Sequence, residues 1–130
     1  VYRGCDLDEN LIFISATFKG KKGSKVDIKK KIDNLIYKKK QDQPSKIKTC
    51  GSTFKNPEGK KAWELIKESG CVGMEVGDAS ISKKHCNFFI NKGKARSKDL
   101  ENLITKVKNK VFEKTNINLE LEIQIIGKKI

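Results

Sequence analysis

The chain has 130 residues and a formal net charge of +13. Of its 29 basic residues only two, Arg3 and Arg96, are arginine. That length is enough for one domain with its own core, and no apolar run approaches the roughly 20 residues of a membrane helix. A basic chain invites a nucleic-acid reading. Lysine runs such as "DIKKKIDNLIYKKK", without arginine forks or a set of stacking aromatics, fit a solvated lysine-rich surface better.

The chain opens on Val1, and strand-forming residues follow almost at once, so further sequence upstream is expected. Residues 10–18, "NLIFISATF", are rich in apolar and β-branched residues and predict a buried strand. "KGKKGS" then punctuates. Ser24 is placed to cap a helix, with Asp27 three residues on. Ile28, Ile32, Leu35 and Ile36 follow on one helical stripe. Gln43-Pro44 marks the end of that helix.

"CGSTFKNP" (50–57) makes a poor helix and a poor strand. Ser52 in it could cap a turn or the next helix, or carry chemistry. A second helix is expected from about Glu58, with Ala62, Leu65 and Ile66 on one face and Gly70 as its left-handed stop. Trp63 falls outside that stripe and suits a packing role at a domain contact. "GCVGMEVGDASIS" predicts turns and short strands. Its glycine spacing is not that of a dinucleotide-binding turn. "HCNFFIN" predicts a short buried strand. Ser97 is placed to cap the last helix, whose apolar positions are Leu100, Leu103, Ile104, Val107, Val111 and Phe112. "NLELEIQII" closes as an alternating strand, with Leu119, Leu121, Ile123 and Ile125 on one face and Glu120, Glu122 and Gln124 on the other. The order of elements predicts an α+β fold with helices packed on a small, mostly antiparallel sheet.

Cys5, Cys50, Cys71 and Cys86 form no C-x-x-C pair and match no zinc spacing, so no metal site is expected. His85 and Cys86 are adjacent, and neighbours on a strand point to opposite faces. Four free thiols suit a reducing compartment. The only histidine is His85, and "GSTF" is not a nucleophile elbow, so a Ser-His hydrolase is disfavoured. Glu122 alone reads as a solvated carboxylate. Arg3 reads as a surface charge, although an arginine among so many lysines hints at a planar two-pronged donor.

Three stretches in this order, "CGSTFKNPEGKKAWELI", "GDASISKKHCNFFIN" and "LELEIQIIG", resemble the carboxy-terminal part of the UDP-N-acetylenolpyruvoylglucosamine reductases. "VYR" with "LIFISATF" resembles the family's Tyr-Arg segment and the strand after it. The resemblance covers essentially the whole chain. It implies a flavoprotein of bacterial peptidoglycan synthesis in which NADPH reduces FAD. The reduced flavin then gives a hydride to the enolpyruvyl group of UDP-N-acetylglucosamine enolpyruvate. FAD would be held mainly by an amino-terminal half with no counterpart here. Residues 1–45 would end the second FAD-binding domain. Residues 46–117 would form the substrate-binding domain, and 118–130 a final strand returning to the first FAD-binding domain.

By the same resemblance, Ser52 matches the proton donor to the carbanionic carbon. Arg3 matches the residue facing the substrate carboxylate and enolate. Glu122 matches an acidic residue that stabilises the intermediate in its protonated form. Asn56 matches a substrate-binding residue. His85 falls near the nucleotide diphosphate, and Lys55 is a further phosphate neighbour. Three positions depart from the family pattern. Asp78 stands where a second glycine is common, Cys5 where Ser or Thr is common, and Val72 where Lys or Arg often meets the diphosphate. The implied partners are the enolpyruvyl substrate and NADPH, with no nucleic acid and no membrane, in the bacterial cytoplasm. The alternative reading is a small basic nucleic-acid-binding module.

Overall fold

A computed structural model describes residues 6–7, 10–44 and 47–127. Arg3 and Cys5 lie outside the described residues. The element order is α1 (Lys25–Asp42), β1 (Lys48–Ser52), α2 (Ala62–Glu68), β2 (Glu75–Val76), β3 (Ala79–Ile81), β4 (Phe88–Asn91) and α3 (Ser97–Thr115). The strands form one antiparallel sheet in the order β1-β4-β3-β2. This is the α+β arrangement that the pattern of elements predicts.

The core sits between this sheet and two helices. α3 packs on β2 and β3, and α2 packs on α3. Leu103, Ile104, Val107 and Val111 of α3 are buried at helical spacing. They meet Ala62, Leu65 and Ile66 of α2 with Phe54, Ile81, Phe89 and Leu119. Excluding this apolar surface from water is the main stabilising term.

Local signals fix the helix ends. The Ser24 hydroxyl oxygen accepts from the Asp27 N–H, as expected of an N-cap. α2 starts four residues later than Glu58, where the Asn56 side-chain oxygen accepts from the Ala62 N–H at 3.0 Å. It ends at Gly70 with φ +68. Cys71 N–H returns to Ile66 C=O and Gly70 N–H to Lys67 C=O, the double bond of a Schellman end. At α3 the expected cap is displaced by one residue. Arg96 is the cap position, and its N–H donates to the Asp99 carboxylate at 2.9 Å. Ser97 instead lies in the first turn and donates its hydroxyl to Glu101.

The glycine-rich stretch forms the short strands expected of it. Gly77 and Asp78 make the two-residue turn between β2 and β3, with Gly77 at φ +54. Asp78 accepts the Lys94 N–H through its carboxylate at 2.9 Å, which ties this turn to the loop before α3.

Two expectations fail. Residues 11–24 carry no strand, and Ile14 and Phe18 are 93% and 91% exposed. A strand needs a ladder of hydrogen bonds on at least one side, and among the described residues none pairs with this segment. α1 has the predicted length and cap, but none of its residues is buried. Its stripe of Ile28, Ile32, Leu35 and Ile36 stays exposed, and among the described residues it is no part of the core. The closing strand is also reduced. Among the described residues only Leu121 bridges, to Phe54, although the alternation persists in the burial of Leu119 and the exposure of Glu120 and Gln124.

Candidate active site

The site is built at one end of the sheet, where β1 stops and β4 starts. β1 pairs with β4 through Lys48–Asn91, Thr49–Ile90 and Ser52–Phe88. Three steps on β1 thus oppose two on β4, so β1 bulges between Thr49 and Ser52. Gly51 sits in the bulge with φ +89, a conformation that other residues reach only with strain. A bulge re-aims the side chain that follows it, and that side chain is Ser52. Cys50, Gly51 and Ser52 thus extend a strand where the composition of "CGSTFKNP" predicts none, and the named strand ends at Ser52.

Beyond Ser52 the chain is held from two sides. Thr53 N–H donates to Asn87 C=O at 2.8 Å. Phe54 N–H donates to the Asn87 side-chain oxygen at 2.9 Å, and the Asn87 amide nitrogen donates to Phe54 C=O at 2.8 Å. From the other side comes the carboxy-terminal segment. Glu122 N–H donates to Thr53 C=O, and Lys55 N–H donates to Glu120 C=O, both at 2.9 Å. Glu122 is therefore anchored beside the residue that follows Ser52, across 69 positions of sequence (122 against 53).

The other expected residues are placed as follows. Lys55 reaches the Glu120 carboxylate at 3.4 Å, an exposed pair of small energetic weight. Asn56 caps α2 through its side-chain oxygen. His85 lies in the turn before β4, and Phe88 N–H donates to its carbonyl. Its ring makes an edge contact with Phe88 at 4.7 Å and a tilted one with Trp63 at 6.4 Å. Burial pushes the imidazole below its ordinary pKa of 6.5, opposed less strongly by its backbone hydrogen bond and by Asp42. Its Nδ1 accepts the Asn87 N–H, so the neutral ring carries its proton on Nε2. Ser52, Glu122 and His85 are thus gathered at one end of the sheet.

A cleft of about 470 Å³ opens beside His85. Trp63, Lys67, Val72, Lys83 and Lys84 line it, together with the end of α1. Sequence reasoning gave Asn87, Lys67 and Lys83 no role. Asn87 had a signal: a residue depleted in strands stands beside a run of strand formers. The lysines had none, because lysine is everywhere in this chain. Cys50, Cys71 and Cys86 are free thiols, as expected. Burial raises the pKa of Cys71, with Lys110 opposing and Cys86 adding to the shift, so this thiol is a core residue and not a nucleophile. Among the described residues no group of three or more His, Cys, Asp or Glu could hold a metal ion.

Residues 43–126 match the family described as UDP-N-acetylenolpyruvoylglucosamine reductase, C-terminal domain. The chain belongs to this family. Its reductase relatives include those of Pelagibacter ubique, 52% identical over 96% of this chain and 42% of that protein, and of Rickettsia prowazekii, 47% identical over 99% and 44%. The crystal structure of UDP-N-acetylenolpyruvylglucosamine reductase from Thermus caldophilus superposes with a TM-score of 0.67 at 39% identity, over 80% of this chain and 36% of that one. The chain therefore spans less than half the length of these reductases. Family membership favours the reductase reading over a basic nucleic-acid-binding module.

Proposed function

We propose that this chain supplies the substrate-binding domain and the proton-handling residues of an FAD-dependent, NADPH-consuming reductase. Its substrate is UDP-N-acetylglucosamine enolpyruvate, its product UDP-N-acetylmuramate, and its place the bacterial cytoplasm, where peptidoglycan precursors are made. The observation that carries this reading is the anchoring of Glu122 beside Thr53, next to a Ser52 re-aimed by the bulge at Gly51.

The described residues do not fit a flavin cradle. The glycines at 70, 73 and 77 end a helix or turn short strands, and none opens a helix whose N–H groups could hold a phosphate. FAD is therefore assigned mainly to the portion of the reductases that this chain does not span, with NADPH as the reductant. In that assignment residues 1–45 end the second FAD-binding domain, residues 46–117 bind substrate, and residues 118–130 lead back to the first domain.

What this chain contributes is acid and charge placement. Reduction of an enolpyruvyl double bond leaves carbanion character on the carbon beside the carboxylate. That carbon needs a proton, and the developing enolate needs donors. Ser52 gives the proton, Glu122 stabilises the charge, and Arg3 faces the carboxylate. A serine hydroxyl is a weak acid, so the site must exclude water for the transfer to compete. Asn56, Lys55 and His85 hold the nucleotide end.

The test uses the intact reductase that contains this chain. Ser52→Ala should leave flavin reduction by NADPH close to normal in rapid mixing. Reduction of the enolpyruvyl substrate should slow by about a hundredfold or more, the usual scale for losing a positioned acid. Normal turnover by the alanine variant would remove Ser52 from the proton-donor role.

A further inference from the structure

Ser52 sits between a bulge and the end of its strand. The pairing of β1 with β4 changes register between Thr49 and Ser52, and β1 stops at Ser52. Past a bulge the register has to be set again, because a slip of one residue turns every side chain to the other face. The regular ladder does not do this here. One residue in the turn before β4, Asn87, does.

Asn87 engages three consecutive polar groups of the chain after Ser52. Its carbonyl takes the Thr53 N–H at 2.8 Å, its side-chain oxygen takes the Phe54 N–H at 2.9 Å, and its amide nitrogen gives to the Phe54 C=O at 2.8 Å. Asn87, Thr53 and Phe54 are all buried, so water does not compete for these groups. The N–H of Asn87 itself donates to His85 Nδ1, which ties the residue to its own turn. On the other side of the same segment, Thr53 C=O accepts the Glu122 N–H at 2.9 Å. Asn87, Thr53 and Glu122 thus make one rung across three segments. Ser52, paired with Phe88, makes the next rung. Whatever sets Thr53 against Asn87 therefore sets the Ser52 hydroxyl against Glu122.

We propose that Asn87 is a positioning residue for proton delivery: its carboxamide fixes the register of Thr53 and Phe54, and through them the placement of Ser52 relative to Glu122. This inference rests on the reductase reading and adds to it a residue that acts through Ser52. The chemical step is unchanged, since the Ser52 hydroxyl still gives its proton to the carbon beside the carboxylate. Asn87 governs the rate of that step. It governs neither attachment of the substrate nor reduction of the flavin by NADPH.

The test uses two variants of the intact reductase. Asn87→Asp keeps the shape and the acceptor but loses the donor to Phe54 C=O. Asn87→Gln keeps both groups and displaces them by one methylene. Both should load FAD and be reduced by NADPH as the parent is. Reoxidation of the flavin by the enolpyruvyl substrate should slow about ten- to a hundredfold, the scale of a misplacement of about 1 Å. The loss should fall in kcat, with KM close to the parent value. In a Ser52→Ala background Asn87→Gln should cost no further rate, because residues that act as a unit are not additive. Leu103→Ala is the control for lost stability, since Leu103 lies in the core and takes no part in the rung. At a similar fall in urea midpoint it should leave reoxidation unchanged. Hydrogen exchange adds a readout apart from turnover: the Thr53, Phe54 and Glu122 amides should be protected in the parent and lose protection together in the Asn87 variants.

The inference fails if the flavin-loaded Asn87 variants reoxidise at the parent rate, if the losses at Asn87 and Ser52 add, or if Leu103→Ala slows the step as much. It also fails if the Thr53 and Phe54 amides of the parent exchange freely. The reading has its own arm. If Ser52→Ala reoxidises at the parent rate, the proton-donor reading falls and takes the inference with it. If Ser52→Ala is slow and the Asn87 variants are not, only the inference falls.

Discussion

Asn87 satisfies both backbone polar groups of Phe54 with one side chain. Its oxygen takes the Phe54 N–H at 2.9 Å and its amide nitrogen gives to the Phe54 C=O at 2.8 Å. Asn87 is 4% exposed and Phe54 fully buried, so neither backbone group has water to fall back on. A carboxamide is the one short side chain that offers a donor and an acceptor in this spacing. It acts as one rung of a strand that the sheet does not otherwise supply. Through Phe54 it holds the segment that carries Ser52 at one end and Lys55 at the other.

Asn87→Ala should therefore be costly. It strands a buried N–H and a buried C=O, each worth about 1–3 kcal/mol when left unmade. A loss of about 2–5 kcal/mol is expected, read as a fall in the urea midpoint at constant slope. A loss under about 0.5 kcal/mol, the level of an ordinary surface change, would mean that the pair is not a structural tie.

Gly51 tests the bulge. A Cβ there would meet nothing within 4 Å, so any cost of Gly51→Ala comes from the backbone at φ +89 and not from a clash. That cost is about 1–2 kcal/mol. If the chain relaxes φ to escape it, Ser52 turns away. Turnover in the intact enzyme should then fall further than the stability change explains, with substrate KM less affected. Gly51→Asn, which tolerates positive φ better, should lie between alanine and glycine. Full activity in the alanine variant would show that the bulge does not aim the serine.

Much of this architecture could be read from the sequence because it rests on local rules. The apolar positions of α3 fall every three or four residues, and four of them are buried as expected. Gly70 ends α2 because only a residue at ease with positive φ closes that turn. The failures come from partners, not from propensity. "LIFISATF" has the composition of a strand, but a strand is defined by its neighbour, and the described residues give it none. The stripe of α1 is of the same kind. Ser97 was the natural cap by type, yet Asp99 reaches the Arg96 N–H and shifts the helix start by one residue.

The candidate site divides in the same way. Ser52, Glu122 and His85 were singled out as candidates by the family resemblance, which composition and spacing alone could not supply. Their convergence was not legible at all. It depends on a bulge and on a return of the carboxy-terminal segment to residues 53–55, both long-range features. Asn87 was hidden inside a recognised motif without a role of its own.

The core gives a stability prediction with a narrower expectation. Leu103 of α3 is fully buried among residues of α2 and the sheet. Leu103→Ala removes its methyl groups and leaves a cavity, at a cost of about 2–5 kcal/mol. Phe112 lies on the same helix but is 43% exposed, so Phe112→Ala should cost clearly less. Thermal unfolding of the two variants side by side would measure the contrast. Equal losses would contradict the placement of α3.

His85 makes stability depend on pH. Burial holds its imidazole below the ordinary 6.5, so the fold prefers the neutral ring. Above that value folded and unfolded chains are both neutral at this residue, and the preference has no pH dependence. As pH falls through about 6.5 the unfolded chain takes up a proton that the folded chain refuses, and stability drops. The loss continues until the lower folded pKa is passed and then levels off. The urea midpoint should therefore begin to decline as pH falls through about 6.5 in the parent chain. His85→Gln removes the titrating group and should flatten that part of the profile, whatever its effect on the absolute midpoint. A parent profile that rises on acidification through this range, or an unchanged decline in the glutamine variant, would show that another group controls it. The imidazole also binds less well as an acceptor once charged: protonation of Nδ1 breaks its bond from the Asn87 N–H. The decline should thus be accompanied by a smaller protection factor at the Asn87 backbone N–H, after correction for the slower intrinsic exchange in acid, and an unchanged protection factor would show that the ring's charge does not open this contact.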